Sequence, residues 1–359
     1  MKIELSAAVL TEFATSVDKV FSKPKQVCIT GEANRVTFFT AHDAQQVAFS
    51  LEIPAKDFSV AVEASRFLTA CKQMYRDHAV IDFKTKYAIL TYGDVQVKLP
   101  FQTPKLTWVQ QDYTAFDVPQ GFLEGLTHTM FVPDRDARFT GTLIDPLADG
   151  SLVARFEGTA LSFTKISTVF SSRFAIFKDF AKLAKTKTVF TQCLASDRGF
   201  GLRSEAGVET TCALMEDSYP RDYLPSFGLA VQGPLVEPSA FDLCYEFDAR
   251  ELKDAVGLVA AVVGDEQQGL TFKLQGREKA TQALVWAILS TSYKGLKVEE
   301  QVRADGQLKA EPRTFKLHKR TLLKALDNYK EKMYVIDTHN AILLADTEGN
   351  SVAVLMKLE

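Results

Sequence analysis

Cysteine is scarce: the five residues present, Cys28, Cys71, Cys193, Cys212 and Cys244, are odd in number, scattered and set in apolar segments. With no C-x-x-C pair, a disulfide framework and a thiolate zinc site are disfavoured, and free thiols buried in a reducing cytosol are expected. The five histidines (His42, His78, His128, His318, His339) form neither H-x-x-x-H nor H-E-x-x-H, so a histidine metal centre is not expected. Neither G-x-x-x-x-G-K-[ST] nor G-x-G-x-x-G occurs, which removes the common phosphate loops. No apolar run approaches the ~20 residues that cross a bilayer. The start Met1-Lys2-Ile3-Glu4 enters a strand-like segment rather than a signal peptide. Asp134, Asp136 and Asp145 lack the glycine and closing glutamate of a calcium loop, and read as a solvated loop. Asp217 and Asp222 flank Pro220 as turn formers. An enzyme needs convergent polar groups, and these are missing. The expectation is a cytoplasmic, non-enzymatic protein without metal, cofactor or membrane partner.

What the chain has is size, ordinary composition and internal repetition. Its 359 residues are 46% hydrophobic and 24% charged, with a net charge of −3. That length exceeds what one core supports, so two or three domains are expected. One unit returns three times: a strand leading into a helix, then two alternating strands. It spans 60–101 (SRFLTACKQM, AVIDF, YAILTYG, VQVKLPF), 169–215 (SSRFAIFKDFAKLAK, VFTQCLA, GFGLRSE, VETTCALM) and 315–358 (HKRTLLKALDNYKEK, YVID, AILLADTEG, SVAVLMKL). A period of roughly 110–150 residues is too long for a solenoid and indicates three similar domains, 1–112, 113–239 and 240–359. Each also opens on a helix, expected at 7–21, 119–130 and 248–263. In the first, Ala8, Leu10, Phe13, Val17 and Val20 make a helical stripe, and in 46–53 Val47, Phe49, Leu51 and Ile53 alternate as in a half-buried strand. Segment 219–239 holds four of the twelve prolines and reads as a linker or extended loop. Hairpin-like strand spacing favours antiparallel sheets, an α+β fold.

The second helix of each repeat is basic: Arg66, Lys72 and Arg76; Arg173, Lys178, Lys182, Lys185 and Lys187; Lys319, Arg320, Lys324, Lys330 and Lys332. One such helix would be an ordinary solvated face. Recurrence in all three, within an acidic chain, points to a local track for a polyanion. Without interleaved aromatics the expected partner is the backbone of duplex DNA, contacted without sequence preference.

Along its whole length the chain resembles the bacterial-type DNA polymerase beta sliding clamps, the processivity factors. The segment Met215-Glu-Asp-Ser-Tyr-Pro-Arg-Asp-Tyr223 is similar to that family's L-x-[DE]-G-x-[FY]-P-D-Y, and Val352-Ala-Val-Leu-Met-Lys-Leu358 to its V-x-M-P-M-R-L tail. Phe139-Thr-Gly-Thr-Leu143 and Phe156-Glu-Gly-Thr-Ala-Leu161 match L-N-G-x-x-[FL] and T-D-G-H-R-L at the family's spacing. The departures are Thr159-Ala160 for His-Arg, Leu355 for the tail proline, an inserted Arg221 and a terminal Glu359. They suit a divergent clamp, a phage-encoded one included.

The resemblance implies three DNA-clamp domains, each of two strand-helix-strand repeats. Two chains would close head to tail as a homodimeric ring, helices inside and sheets outside, running on across domain boundaries. It implies that the helices meet DNA through Arg66, Lys72, Arg76, Arg173, Lys178, Lys182, Lys185, Lys187, Lys319, Arg320 and Lys324. Polymerase, clamp loader and other clamp-binding peptides would dock between the second and third domains on Phe139, Phe156, Gly158, Leu161, Pro220, Val352, Val354, Met356 and Leu358. Val97 and Leu99 would meet Val262 and Val263 of a second subunit. The alternatives are a non-ring scaffold or checkpoint-type clamp subunit, and a carboxylate-based hydrolase.

Overall fold

The computed structural model describes all residues except 75–76, 108, 110, 134–140, 217, 264–268, 278–283, 294–295, 306–312 and 359. Arg76 and Phe139 therefore lie outside the described residues, as do Asp134, Asp136 and Asp217. The elements are β1 (Lys2–Ser6), α1 (Ala7–Val20), β2 (Gln26–Glu32), β3 (Arg35–His42), β4 (Gln45–Glu52), β5 (Phe58–Glu63), α2 (Ala64–Lys72), β6 (His78–Phe83), β7 (Tyr87–Tyr92), β8 (Val95–Pro100) and β9 (Thr114–Asp117). There follow α3 (Phe122–His128), β10 (Gly141–Leu147), β11 (Gly150–Glu157), β12 (Ala160–Ile166), β13 (Phe174–Phe177), α4 (Asp179–Ala184), β14 (Phe190–Ala195), β15 (Gly199–Ser204) and β16 (Glu209–Ala213). The chain closes with β17 (Cys244–Asp248), α5 (Ala249–Val263), β18 (Gly269–Arg277), β19 (Leu284–Tyr293), β20 (Leu296–Ala304), β21 (Arg313–His318), α6 (Lys319–Leu326), β22 (Lys332–Asp337), β23 (Ala341–Asp346) and β24 (Ser351–Met356). The fold is α+β, and the pairings of its four sheets are antiparallel.

The chain packs as two compact units, 1–118 with 176–215, and 119–175 with 216–359. The expected second domain thus contributes to both. In the first unit β4 pairs with β16, Gln46 opposite Thr211, giving the sheet β5-β2-β3-β4-β16-β15-β14-β9. In the second, β12 pairs with β24, Leu161 opposite Val354, giving β13-β10-β11-β12-β24-β23-β22-β17. Sheets therefore do run across the expected boundaries. Two four-stranded sheets, β1-β6-β7-β8 and β20-β19-β18-β21, complete the fold.

Local chemistry sets the helix ends. Ser6 caps α1 by accepting the Ala8 N–H, and Asp248 Oδ1 accepts from Arg250 and Glu251 at the start of α5, each satisfying donors that a first turn leaves orphaned. Three helices are shorter than the sequence suggests. α6 ends at Leu326, so Lys330 and Lys332 lie beyond the expected basic helix, Lys332 on β22 where it pairs with Glu246. Gly121 sits at φ +78°, a left-handed conformation suited to glycine, so α3 starts at Phe122 rather than at 119. The helix expected over 171–185 is the strand β13 followed by a six-residue α4. Phe174, Ala175 and Ile176 are all buried, a consecutive run that a strand buried on both faces accommodates.

In the first unit α1 packs on α2 through Phe13 and Phe67, with ring centroids 6.4 Å apart, over the stacked Phe38 and Phe49 at 4.7 Å. In the second, Leu252, Val256 and Val259 of α5 share a core with Leu322 and Leu326 of α6 and with Ala353 and Leu355 of β24. Cys28, Cys71, Cys193 and Cys212 are buried; burial raises the thiols of Cys193 and Cys212 to about 12, which keeps them unreactive.

Candidate functional site

Side chains alternate along β12 and β24, so each strand serves two faces. Ala160, Ala353 and Leu355 face the helix-side core, where Ser162 meets His128. Leu161, Phe163, Val352 and Val354 share the opposite face, with Phe156 beside Leu161 on β11. That face is apolar, and the segment after β16 covers it. Phe156 packs on Tyr219 and Tyr223 at 4.9 and 4.8 Å, and Phe163 stacks on Tyr223 at 5.7 Å and meets Phe227 at 6.3 Å. The Tyr223 hydroxyl donates to Asp145 on β10, which also pairs with Arg173. Asp145 is thus a strand residue holding this cover, not part of a solvated loop.

Val352 and Val354 are fully buried, while Phe156 and Leu161 are 6% and 7% exposed. Most of the expected cleft is therefore filled by the chain's own aromatics. Gly158 and Pro220 are exposed and Met356 is half-buried. Beside Met356 opens a groove of about 860 Å³, lined by Phe227, Phe241, Leu243 and Ala341 and by residues 337–340. Leu358 lies elsewhere. Its N–H donates to the Lys316 carbonyl, and its side chain would be 3.6 Å from a methyl group placed on Gly269. Lys357 between them is held by Asp337 and by the Thr338 carbonyl. The tail is pinned into the fold, and among its described residues Met356 alone lines the groove.

The corresponding face in the first unit is mixed: Cys28, Phe39, Ala48 and Ala61 form a small buried apolar cluster with Leu106 against it, beside polar pairs. There Arg35 pairs with Glu52 at 2.7 Å, Thr37 bonds Ser50 at 2.8 Å and Arg203 pairs with Glu209 at 2.7 Å.

The basic residues separate into three settings. Arg66, Lys185, Lys187, Arg320 and Lys324 are exposed. Lys72 and Lys182 are exposed as well and meet Asp18 and Asp179, and Arg320 is likewise engaged within the fold; Lys178 is half-buried at the start of α4. Lys319 is 5% exposed, and Arg173 precedes β13, donating to Asp145 and to the carbonyls of Tyr219 and Pro220. Those two are built into the second unit and are not part of a solvent-facing basic surface. The difference from the sequence reading for Arg173 follows from the strand that replaces the expected helix.

Of the expected dimer residues, Leu99 is 1% exposed, a core residue of the sheet in which β8 is an edge strand. Val97 is half-buried on the same strand. Val262 and Val263 close α5, but their side chains fall outside the described residues.

Nothing in the sequence marks His128 as functional, and its role is structural. Tyr329 Oη donates to the Leu344 carbonyl at 2.6 Å, so its one proton is spent. His128 Nε2 must then donate to Tyr329 Oη at 3.2 Å, and Nδ1 accepts from Ser162 Oγ at 2.8 Å. Burial lowers the imidazole to about 4. The folded value lies below the ordinary ~6.5, so the contribution is whole above pH 6.5 and is lost as pH falls towards 4. Denaturant unfolding should lose about 3 kcal/mol from this group between pH 7 and pH 4. His128→Gln should shallow the acid dependence by that amount; an unchanged dependence would contradict the assignment.

Among the described residues no cluster of three or more histidine, cysteine, aspartate or glutamate side chains is placed to hold a metal ion, and no helix is long and apolar enough to cross a membrane. No family model matches the sequence, and no curated protein matches it. Solved structures do. A DNA polymerase sliding clamp from Pseudomonas aeruginosa matches with a TM-score of 0.77 at 14% identity, covering 100% of both chains. One from Bacillus subtilis gives 0.77 at 15% identity over 100% of this chain and 99% of that one. The DNA polymerase III beta subunit of Thermotoga maritima gives 0.77 at 12%, with the same coverage. Across its whole length, the chain has the fold of the bacterial DNA polymerase III beta sliding clamps.

Proposed function

We propose that the protein is a sliding clamp: a head-to-tail homodimeric ring of three domains per chain that encircles duplex DNA and tethers a replicative polymerase in the cytoplasm. The observation that carries this reading is the likeness to solved clamps over the full length of the chain. Persistence on DNA then comes from topology and not from affinity, so no catalytic residue is required. Backbone contacts are non-specific and salt-dependent, which permits sliding. The duplex would meet the exposed cations Arg66, Lys185, Lys187, Arg320 and Lys324.

The partner site is the groove at Met356, lined by Phe227, Phe241 and Leu243, where polymerase and clamp-loader peptides insert apolar side chains. Val97 on the edge strand β8 and the end of α5 form the subunit contact, covering an edge that would otherwise invite unwanted pairing. Light scattering tests the assembly. A mass of about twice 39.9 kDa is expected, whereas a monomer at micromolar concentration would favour a scaffold or a checkpoint-type subunit that needs different partners.

A further inference from the structure

Each unit straps one helix pair with a lysine–aspartate bridge on its solvent side. In the first, Asp18 of α1 holds Lys72 at the end of α2, with side chains 43% and 40% exposed. In the second, Lys253 of α5 meets Asp327, the residue after α6, at 2.6 Å, with side chains 45% and 53% exposed. Packing does not need these bridges. α1 and α2 are already joined by the Phe13–Phe67 contact and by Thr11 Oγ1 donating to the Cys71 carbonyl at 3.3 Å. α5 and α6 share a buried apolar core. Ion pairs this exposed contribute little to stability. What they do change is the field: a lysine held by a carboxylate is a neutral pair, and its attraction for a distant phosphate fades within a Debye length.

We propose that Asp18 and Asp327 limit the strength of duplex contact, by occupying lysines that would otherwise bind phosphate. The proposal rests on the reading that these helices face DNA. Asp179 holds Lys182 in the same way within α4. A phosphate reaching any of these lysines must displace a carboxylate, so each encounter releases less counterion and breaks more readily. The protein is thereby held to loose contact, which suits sliding.

The test is fluorescence anisotropy of the full-length protein on a short linear duplex across a salt series. D18N/D327N should bind about tenfold more tightly at low salt, with a salt slope steeper by roughly 0.9 for each further phosphate neutralised. K72Q/K253Q should bind no more tightly than the parent. The swap D18K/K72D restores a neutral pair and should return parental binding, which separates charge from damage to the fold; thermal melts of all variants should coincide. If mutating the exposed cations Arg66 and Lys324 weakens binding but D18N/D327N leaves it unchanged, the inference is overturned and the DNA-facing reading survives. If neither set alters binding, the DNA-facing reading itself fails and the inference with it.

Discussion

Met356→Asp is expected to abolish binding of the protein's polymerase peptide, at least about a hundredfold, or about 2.7 kcal/mol, with dimer mass and unfolding nearly unchanged. Met356 shares the outward face of β24 with Val352 and Val354, but it alone of the three is not fully buried. It stands at the groove with Phe227, Phe241 and Leu243. Peptide sites of this kind draw most of their affinity from a few apolar anchors, and a thioether adapts to several. A carboxylate there would have to be desolvated by an incoming apolar side chain, at a cost of several kcal/mol. Removing the whole tail is a poorer test. Lys357 is tied to Asp337 and Leu358 to Lys316, so truncation would loosen the third repeat as well as the groove. Isothermal titration with the polymerase peptide reads the effect; full binding by Met356→Asp would move the site elsewhere.

Much of the architecture was legible because the repeat carries its own punctuation. The stripe in α1 and the alternation in β4 place the apolar faces within one or two residues of where they lie, and Asp248 marks the start of α5. The misread segments are those where one apolar run serves either structure. Phe174 to Phe177 lies beside a basic helix and reads as its first turn, yet burial of consecutive residues makes it a strand. The site was only half legible. The motif around Pro220 and the tail point to one sheet face, the face that Tyr219 and Tyr223 cover, but period-two patterns do not tell which residues another segment will cover. Tyr219, Tyr223 and Phe227 lie in a proline-rich stretch with no period, and their role as cover depends on contacts distant in sequence. The pairing of Lys72 with Asp18, 54 residues away, is invisible for the same reason, so a count of lysines overstates the cations available to DNA.

Retention by a closed ring is topological, and one measurement separates it from ordinary affinity. The helices carry several of their exposed cations already paired, and the net charge is −3, so a simple binder would leave DNA within moments at physiological salt. A closed ring would stay until an end appeared. Labelled protein placed on a nicked circular plasmid by a clamp loader, then passed over a gel-filtration column in 150 mM salt, gives the readout. A ring should co-elute with the circle and be released once a single restriction cut linearises it. Equal retention on circular and cut DNA, or equal loss from both, would contradict ring closure.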